Sequence, residues 1–392
     1  MDRPSRKEIL EKARRVVVKV GSGVLTGPGG LDRRRVEMLA GQIARLATGG
    51  RQVVLVSSGA IASGQAKAGL GRAPRTIPEK QAAAALGQAG LVQAYEEAFE
   101  AHGLKVAQVL LTADDLRSRT RYLNARNTLF TLLEWGVVPV VNENDTVAVE
   151  EIRLGDNDNL AAMLTNLLGA QVMINLTNVD GIMDSDPRTN PQAKLIPVVE
   201  KVTPALIAAA SSQPGAVGRG GILSKVKAAE KVARCGAYTI VANGLVDDVI
   251  DRLLAGHELG TLFLPNPHPL TRRKHWIAFA AGAEQGGEVV VDDGAVRALV
   301  DRGSSLLPAG VVDVRGRFGA GAAVRVVDKA GRVVGVGLTN YSSEEIKKIK
   351  GLHTSEVAQA LGHKYFDELI HRDNLVVFAQ GQEEGVECLL KS

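Results

Sequence analysis

The chain has 392 residues, 45% hydrophobic and 23% charged, ordinary globular proportions for a length that suggests roughly two or three domains. Its two cysteines, Cys235 and Cys388, exclude a disulfide framework and a four-cysteine zinc site and fit a reducing cytoplasm. A net charge of +4 over this length is too small for nucleic-acid binding by electrostatics alone.

The N-terminal segment is polar and carries acids, and the first apolar run, Val16-Val17-Val18, is stopped at once by Lys19. No segment has the core of a signal peptide or the length of a membrane span. Short β-branched runs then alternate with Ala/Leu-rich stretches. Strands are expected at 16–20, 53–56, 106–111, 137–141, 172–176 and 238–241, and helices at 33–47, 80–102, 124–135, 159–168 and 224–234. Most of the strand runs are apolar on both faces, as parallel strands covered on each side must be. The alternation reads as an α/β fold, an open and mostly parallel sheet sandwiched by helices, over residues 10–265.

A proline cluster, Pro265-Asn266-Pro267-His268-Pro269, closes that region. Beyond it, short strands with glycine turns are expected at 288–291, 310–315, 322–328 and 333–338, and helices at 294–302 and 342–350. This is a small β-rich domain, placed at 284–370. The tail after His371 reads as irregular.

Polar residues and glycines collect where strands of the first domain end, which is where doubly wound sheets bind ligands. The strand ends are Lys19-Val20-Gly21-Ser22-Gly23, Ser57-Ser58-Gly59-Ala60, Asn142-Glu143-Asn144-Asp145 and Thr177-Asn178-Val179-Asp180-Gly181. Gly155-Asp156-Asn157-Asp158-Asn159 and Gly218-Arg219-Gly220-Gly221-Ile222-Leu223-Ser224-Lys225 each precede a helix. Some of these have a plain folding explanation: Gly21 and Gly23 suit a tight turn, Ser57-Ser58-Gly59 a helix cap, and 218–221 a loose loop. Lys19 does not, because an ammonium inside an apolar strand pays for desolvation unless an anion meets it. The density of acids and asparagines between 142 and 159 also exceeds what turns need. Glycine turns, a helix start and two lysines, Lys19 and Lys225, describe a phosphate site. It is not a Walker A loop, since Ser224 stands where that motif requires glycine, and no dinucleotide fingerprint follows the first strand.

Lys19-Val20-Gly21-Ser22, Val56-Ser57-Ser58-Gly59-Ala60-Ile61, Asn142-Glu143-Asn144-Asp145, Gly155-Asp156-Asn157-Asp158-Asn159-Leu160 and Gly220-Gly221 with Lys225 resemble the glutamate 5-kinase family of the amino-acid kinase superfamily. Leu123-Asn124-Ala125-Arg126-Asn127 and Asp184-Ser185-Asp186-Pro187-Arg188 look like the same family, and Arg302-Gly303-Ser304-Ser305-Leu306-Leu307-Pro308 looks like part of a PUA module. The resemblance implies an amino-acid kinase fold with a C-terminal PUA-like domain. It also implies ATP-dependent phosphorylation of the γ-carboxylate of L-glutamate to L-glutamyl 5-phosphate, the first step toward proline. Lys19 and Lys225 would contact the ATP phosphates and Asp158 would orient them. Ser58, Asp145 and Asn157 would hold glutamate. Thr177, Asn178, Arg219, Gly220, Gly221, Ile222, Leu223, Ser224 and Lys225 would bind the nucleotide. The family commonly has aspartate where Asn178 stands and threonine where Arg219 stands.

Magnesium is implied with the ATP, but no protein ligand for it is identified. The resemblance further implies a cytoplasmic homo-oligomer, feedback inhibition by proline and glutamyl phosphate reductase as a partner, with no membrane association. Two alternatives stay open: another amino-acid kinase acting on a different carboxylate, a carbamate or a nucleotide, or RNA binding through the PUA-like domain. The second has weak support, since residues 284–351 carry 10 Lys/Arg against 9 Asp/Glu with few aromatics for stacking. Subunit packing or regulation suits that domain better.

Overall fold

The computed structural model describes residues 4–147 except 28, 157–211, 221–266, and 287–378 except 365. The chain divides into two compact units, residues 1–269 and 270–392.

The first unit opens with α1 (Arg6–Lys12), capped by Ser5, and β1 (Arg15–Val20). A one-turn helix, α2 (Ser22–Leu25), and a small ribbon of β2 (Thr26–Gly27) and β3 (Gly30–Leu31) lead to α3 (Arg33–Thr48). Next come β4 (Gln52–Ser57), α4 (Ala60–Lys67) and α5 (Ile77–Glu100). They are followed by β5 (Val106–Leu111), α6 (Ala113–Arg117), α7 (Arg119–Glu134) and β6 (Val138–Glu143). The remaining elements are α8 (Asn157–Leu168), β7 (Val172–Thr177), β8 (Val198–Val199) and α9 (Pro204–Ser211), then α10 (Ile222–Arg234), β9 (Tyr238–Asn243), α11 (Val249–Leu254) and β10 (Thr261–Phe263).

Eight strands form one sheet in the order β5-β6-β4-β1-β7-β9-β10-β8. The pairs from β5 through β9 are parallel, and β10 runs antiparallel to β9. β1 lies between β4 and β7. The chain fills one side of β1 first and the other side later, so the carboxyl end of β1 is a topological switch point. Val16, Val18 and Val20 point to one face and pack with Leu39 and Ile43 of α3 and Leu91, Tyr95 and Phe99 of α5. Val17 and Lys19 alternate onto the opposite face, where α8 packs on β1 and α10 packs on α8. Ten of the 12 residues of α8 are buried, as a helix between two layers must be. β5 is an edge strand and only half-buried.

Some helix starts lie earlier than the apolar period alone predicts. α5 begins at Ile77 rather than 80 because Thr76 and Glu79 form a reciprocal capping box. β8 and β10, two and three residues long, carry too little pattern to be read from sequence.

The second unit holds a five-stranded sheet of β11 (Glu288–Val291), β12 (Val311–Arg315), β13 (Ala323–Val327), β14 (Val333–Leu338) and β15 (Leu375–Val377). The order is β12-β11-β13-β14-β15. Helices Asp293–Arg302 and Ser343–Ile349 bury Leu299, Ile346 and Ile349 against Val289, Val324 and Val326. The expectation of an irregular tail after His371 is corrected here, because Leu375–Val377 pairs antiparallel with β14 as the edge strand. Three apolar residues make no period by themselves; the open edge of β14 supplies the partner.

Candidate active site

The site is built around one carboxylate. Asp158 lies in the first turn of α8 and is 1% exposed. Its Oδ1 is 2.6 Å from Nζ of Lys19 and accepts from Nδ2 of Asn175 at 3.0 Å. Its Oδ2 is 3.1 Å from Nζ of Lys225 and accepts from Oγ of Ser224 at 2.6 Å. Three elements therefore converge: β1 brings Lys19, β7 brings Asn175 directly beside it in register, and the start of α10 brings Ser224 and Lys225. Lys19 and Lys225 are each 4% exposed.

Burial opposes ionisation of Asp158, but the two ammonium groups and the hydroxyl of Ser224 hold it well below the usual carboxylate range. The positive end of α8 works in the same direction. Burial, aided by repulsion from Lys225, pulls Lys19 down to about 8 against the attraction of Asp158. The net charge of this buried trio is one positive unit, which an anion can meet.

A second hydrogen-bonded group adjoins it. Nδ2 of Asn157 lies 2.9 Å from Oγ of Ser58, 2.9 Å from Oδ1 of Asn142 and 3.2 Å from the Ser57 carbonyl. Asn142 in turn donates to Oε1 of Gln88 on α5 at 2.8 Å. Oδ1 of Asn157 is buried and has no partner among the described residues, so an acceptor is left for a ligand donor. Ser58 is followed by Gly59 with φ of +109°, a conformation that favours glycine. That turn starts α4 without a side-chain cap, leaving the first backbone N–H groups of the helix open.

One cleft of about 410 Å³ takes lining residues from both groups. Its walls include Lys19, Gly21, Ser58, Asp145, Asn157 and Lys225, together with Gly59 to Ala62, Thr177 and Asn178. Of the residues singled out from sequence, the structure brings Lys19, Asp158, Lys225 and Ser224 into one ion-paired cluster, with Ser58 and Asn157 hydrogen-bonded to each other. The side chains of Ile222 and Leu223 pack on an apolar cluster with Ile182, Val226 and Phe263. Gly221 is the N-cap of α10. Arg219 and Gly220 lie outside the described residues, as do 148–156.

Sequence reading missed Asn175, Gln88 and Lys80, and gave Asn142 no role of its own. Asn175 carries the same signal as Lys19, a polar side chain in a fully buried strand. Asn142 was within a recognised motif, but only the fold pairs it with α5. Lys80 lines the cleft from the first turn of α5, where it had been read as a helix start.

A nucleotide site implies magnesium. Both Asp158 oxygens are filled by nitrogen and hydroxyl donors. Among the described residues no group of three or more His, Cys, Asp or Glu side chains is arranged to hold a metal. Magnesium needs no such cage, since ATP oxygens and water would supply most of its shell. Among the described residues also, no helix is long and apolar enough to cross a membrane.

Residues 14–243 match the amino acid kinase family and residues 287–361 match the PUA domain. A glutamate 5-kinase of Citrifermentans bemidjiense is 52% identical over 373 residues, covering 95% of this chain and 100% of that protein. A glutamate 5-kinase of Geobacter sulfurreducens is 50% identical over 373 residues with the same coverage. One from Caldanaerobacter subterraneus is 48% identical over 372 residues, again 95% of this chain and 100% of the relative.

Proposed function

The chain belongs to the amino acid kinase family, in its glutamate 5-kinase branch, and we infer that it transfers the γ-phosphoryl group of ATP to the side-chain carboxylate of L-glutamate. The products are ADP and L-glutamyl 5-phosphate, and the reaction is the first step of proline biosynthesis. The observation that carries the reading is the buried Lys19–Asp158–Lys225 cluster in a cleft also lined by Ser58, Asp145 and Asn157.

The chemistry follows from those residues. A γ-carboxylate has an ordinary pKa of ~4.3 and is ionised at neutral pH, so no general base is required. One carboxylate oxygen bonds to the γ-phosphorus as the bond from that phosphorus to the bridging oxygen breaks, and the electron pair leaves on ADP. The difficulty is bringing an anion to a polyanion. Lys19 and Lys225 offset that repulsion and meet charge on the transferring group. Asp158 holds both ammonium groups in position, so they need no reorganisation during the step.

Ser58, Asp145 and Asn157 hold the amino acid. Asp145 suits the α-ammonium, and the open Oδ1 of Asn157 accepts from it. Thr177, Asn178 and the segment 219–225 hold the nucleotide, with backbone N–H groups at the start of α10 facing phosphate. Residues 10–265 form the catalytic domain and 284–370 the PUA-like domain, whose role is packing or regulation. Feedback inhibition by proline, homo-oligomerisation, a cytoplasmic location and hand-over of the unstable acyl phosphate to glutamyl phosphate reductase belong to the same reading. The test is ATP turnover with and without L-glutamate, with hydroxylamine trapping the acyl phosphate. Glutamate-dependent hydroxamate is expected; ATP turnover that ignores glutamate overturns the reading.

A further inference from the structure

The cleft contains a third ammonium that phosphoryl transfer does not use. Lys80 lines it together with Ser58, Asp145 and Asn157. It lies in the first turn of the 24-residue helix α5, at the positive end of the helix dipole, where folding alone favours an acid. The acid beside it is already engaged, since Oε1 of Glu79 accepts from Arg72 at 2.6 Å and Oε2 accepts from the backbone N–H of Arg75 at 2.7 Å. Lys80 is half-buried, and among the described residues no carboxylate pairs with it. Lys19 and Lys225, by contrast, share Asp158.

An amino acid whose side-chain carboxylate meets the phosphoryl group still presents an ammonium and a second carboxylate. Asp145 and Oδ1 of Asn157 suit the ammonium. A cation is the matching partner for the second carboxylate, and among the described residues Lys80 is the lining cation not already bound to Asp158. We propose that Lys80 binds the α-carboxylate of the amino-acid substrate and is a specificity-determining residue of the cleft. It selects a substrate that is anionic at both ends over one anionic only at the reacting end. This rests on the glutamate kinase reading above.

The test pairs Lys80→Met and Lys80→Arg with two ligands in the full chain. The ligands are L-glutamate and 4-aminobutanoate, which keeps the amine and the reacting carboxylate but lacks the α-carboxylate. Lys80→Met is expected to raise the glutamate KM about 10- to 100-fold, the size of a lost charged hydrogen bond. The kcat and the ATP KM stay within about twofold. The inhibition constant of 4-aminobutanoate against glutamate stays unchanged, and Lys80→Arg recovers most of the glutamate affinity. An unchanged glutamate KM, or an equal loss for both ligands, overturns the assignment. If the unaltered chain forms no hydroxamate from glutamate, the kinase reading itself falls and takes this proposal with it; with an active unaltered chain, an equal loss overturns only the role of Lys80.

Discussion

Lys19 and Lys225 never meet except through Asp158, whose two oxygens they take separately at 2.6 and 3.1 Å. The carboxylate keeps two buried ammonium groups compatible. Asp158→Asn is therefore expected to cost stability as well as rate. Removing one member of a buried ionic cluster costs about 3–5 kcal/mol, and kcat should fall by about 10²–10³, as when a preorganised charge contact is lost. Thermal unfolding and hydroxamate formation measured on the same variant check both. Normal stability with normal rate would refute the role of Asp158 as organiser.

The lysine pair predicts a pH dependence. Lys19 is held down to about 8, so its ammonium is present below that pH and is lost as the pH rises through it. kcat/KM for ATP reports the free enzyme and should decline with an alkaline midpoint near 8. Bound ATP favours the charged lysine, so the limb in kcat should lie higher. Asp158, held below the usual carboxylate range, contributes no loss of activity near neutrality. Lys19→Arg, whose guanidinium stays protonated, should remove the alkaline limb from whatever rate remains. A profile flat from about pH 6 to about pH 10 contradicts the assignment.

Lys19 was legible in the sequence because an ammonium in an apolar strand has a cost that folding does not recover. Asn175 follows the same logic at lower cost and passed unnoticed. The helix and strand pattern from β1 to β9 was legible because each run is long enough to have a period. β8, β10 and β15 are too short for that, and their place comes from an open sheet edge. The Asn142–Gln88 hydrogen bond and the entry of Lys80 into the cleft depend on how α5 crosses α4, which no local pattern encodes. Ile222 and Leu223 belong to the motif in sequence yet serve packing with their side chains.

That crossing makes its own prediction. A Cβ on Gly64 of α4 would lie 1.7 Å from the carbonyl oxygen of Ala83, and one on Gly87 of α5 would lie 1.9 Å from that of Ala60. The two helices touch backbone to backbone, and both carry cleft residues at their starts. Gly64→Ala should destabilise by about 3 kcal/mol through overpacking and raise the glutamate KM. Gly90→Ala on α5 is the control: its Cβ would meet Oγ of Ser63 at 3.8 Å, and it should gain up to about 1 kcal/mol of helix propensity. Equal melting temperatures for the two variants would refute the close crossing.

All the described residues that line the cleft lie between Lys19 and Lys225, and the two units have separate apolar clusters. Asn266 still donates its N–H to the carbonyl of Ala233 at 2.9 Å. A chain ending at Asn266 should fold and form hydroxamate from glutamate, while its assembly or response to inhibitors changes. A folded truncation without activity would mean that the second unit supplies part of the site, against the placement of domain boundaries in linkers.

Asp145 separates the two substrates. It stands in the turn after β6 and lines the cleft, whereas the lysines that would hold ATP come from β1 and α10. Asp145→Ala should raise the glutamate KM by about 10- to 100-fold, as expected for a lost charged hydrogen bond, and move the ATP KM by no more than about twofold. Proline shares with glutamate an α-carboxylate beside a cationic nitrogen. If it competes for these contacts, Asp145→Ala should lose proline inhibition together with glutamate affinity, and Asn157→Ala should do the same through the loss of Oδ1. The comparison is made at matched fractional saturation with glutamate, so that weaker substrate binding does not imitate weaker inhibition. A variant that loses glutamate affinity but keeps full proline inhibition would place proline at a different site. One that shifts the ATP KM and leaves glutamate untouched would remove Asp145 from the amino-acid end of the cleft.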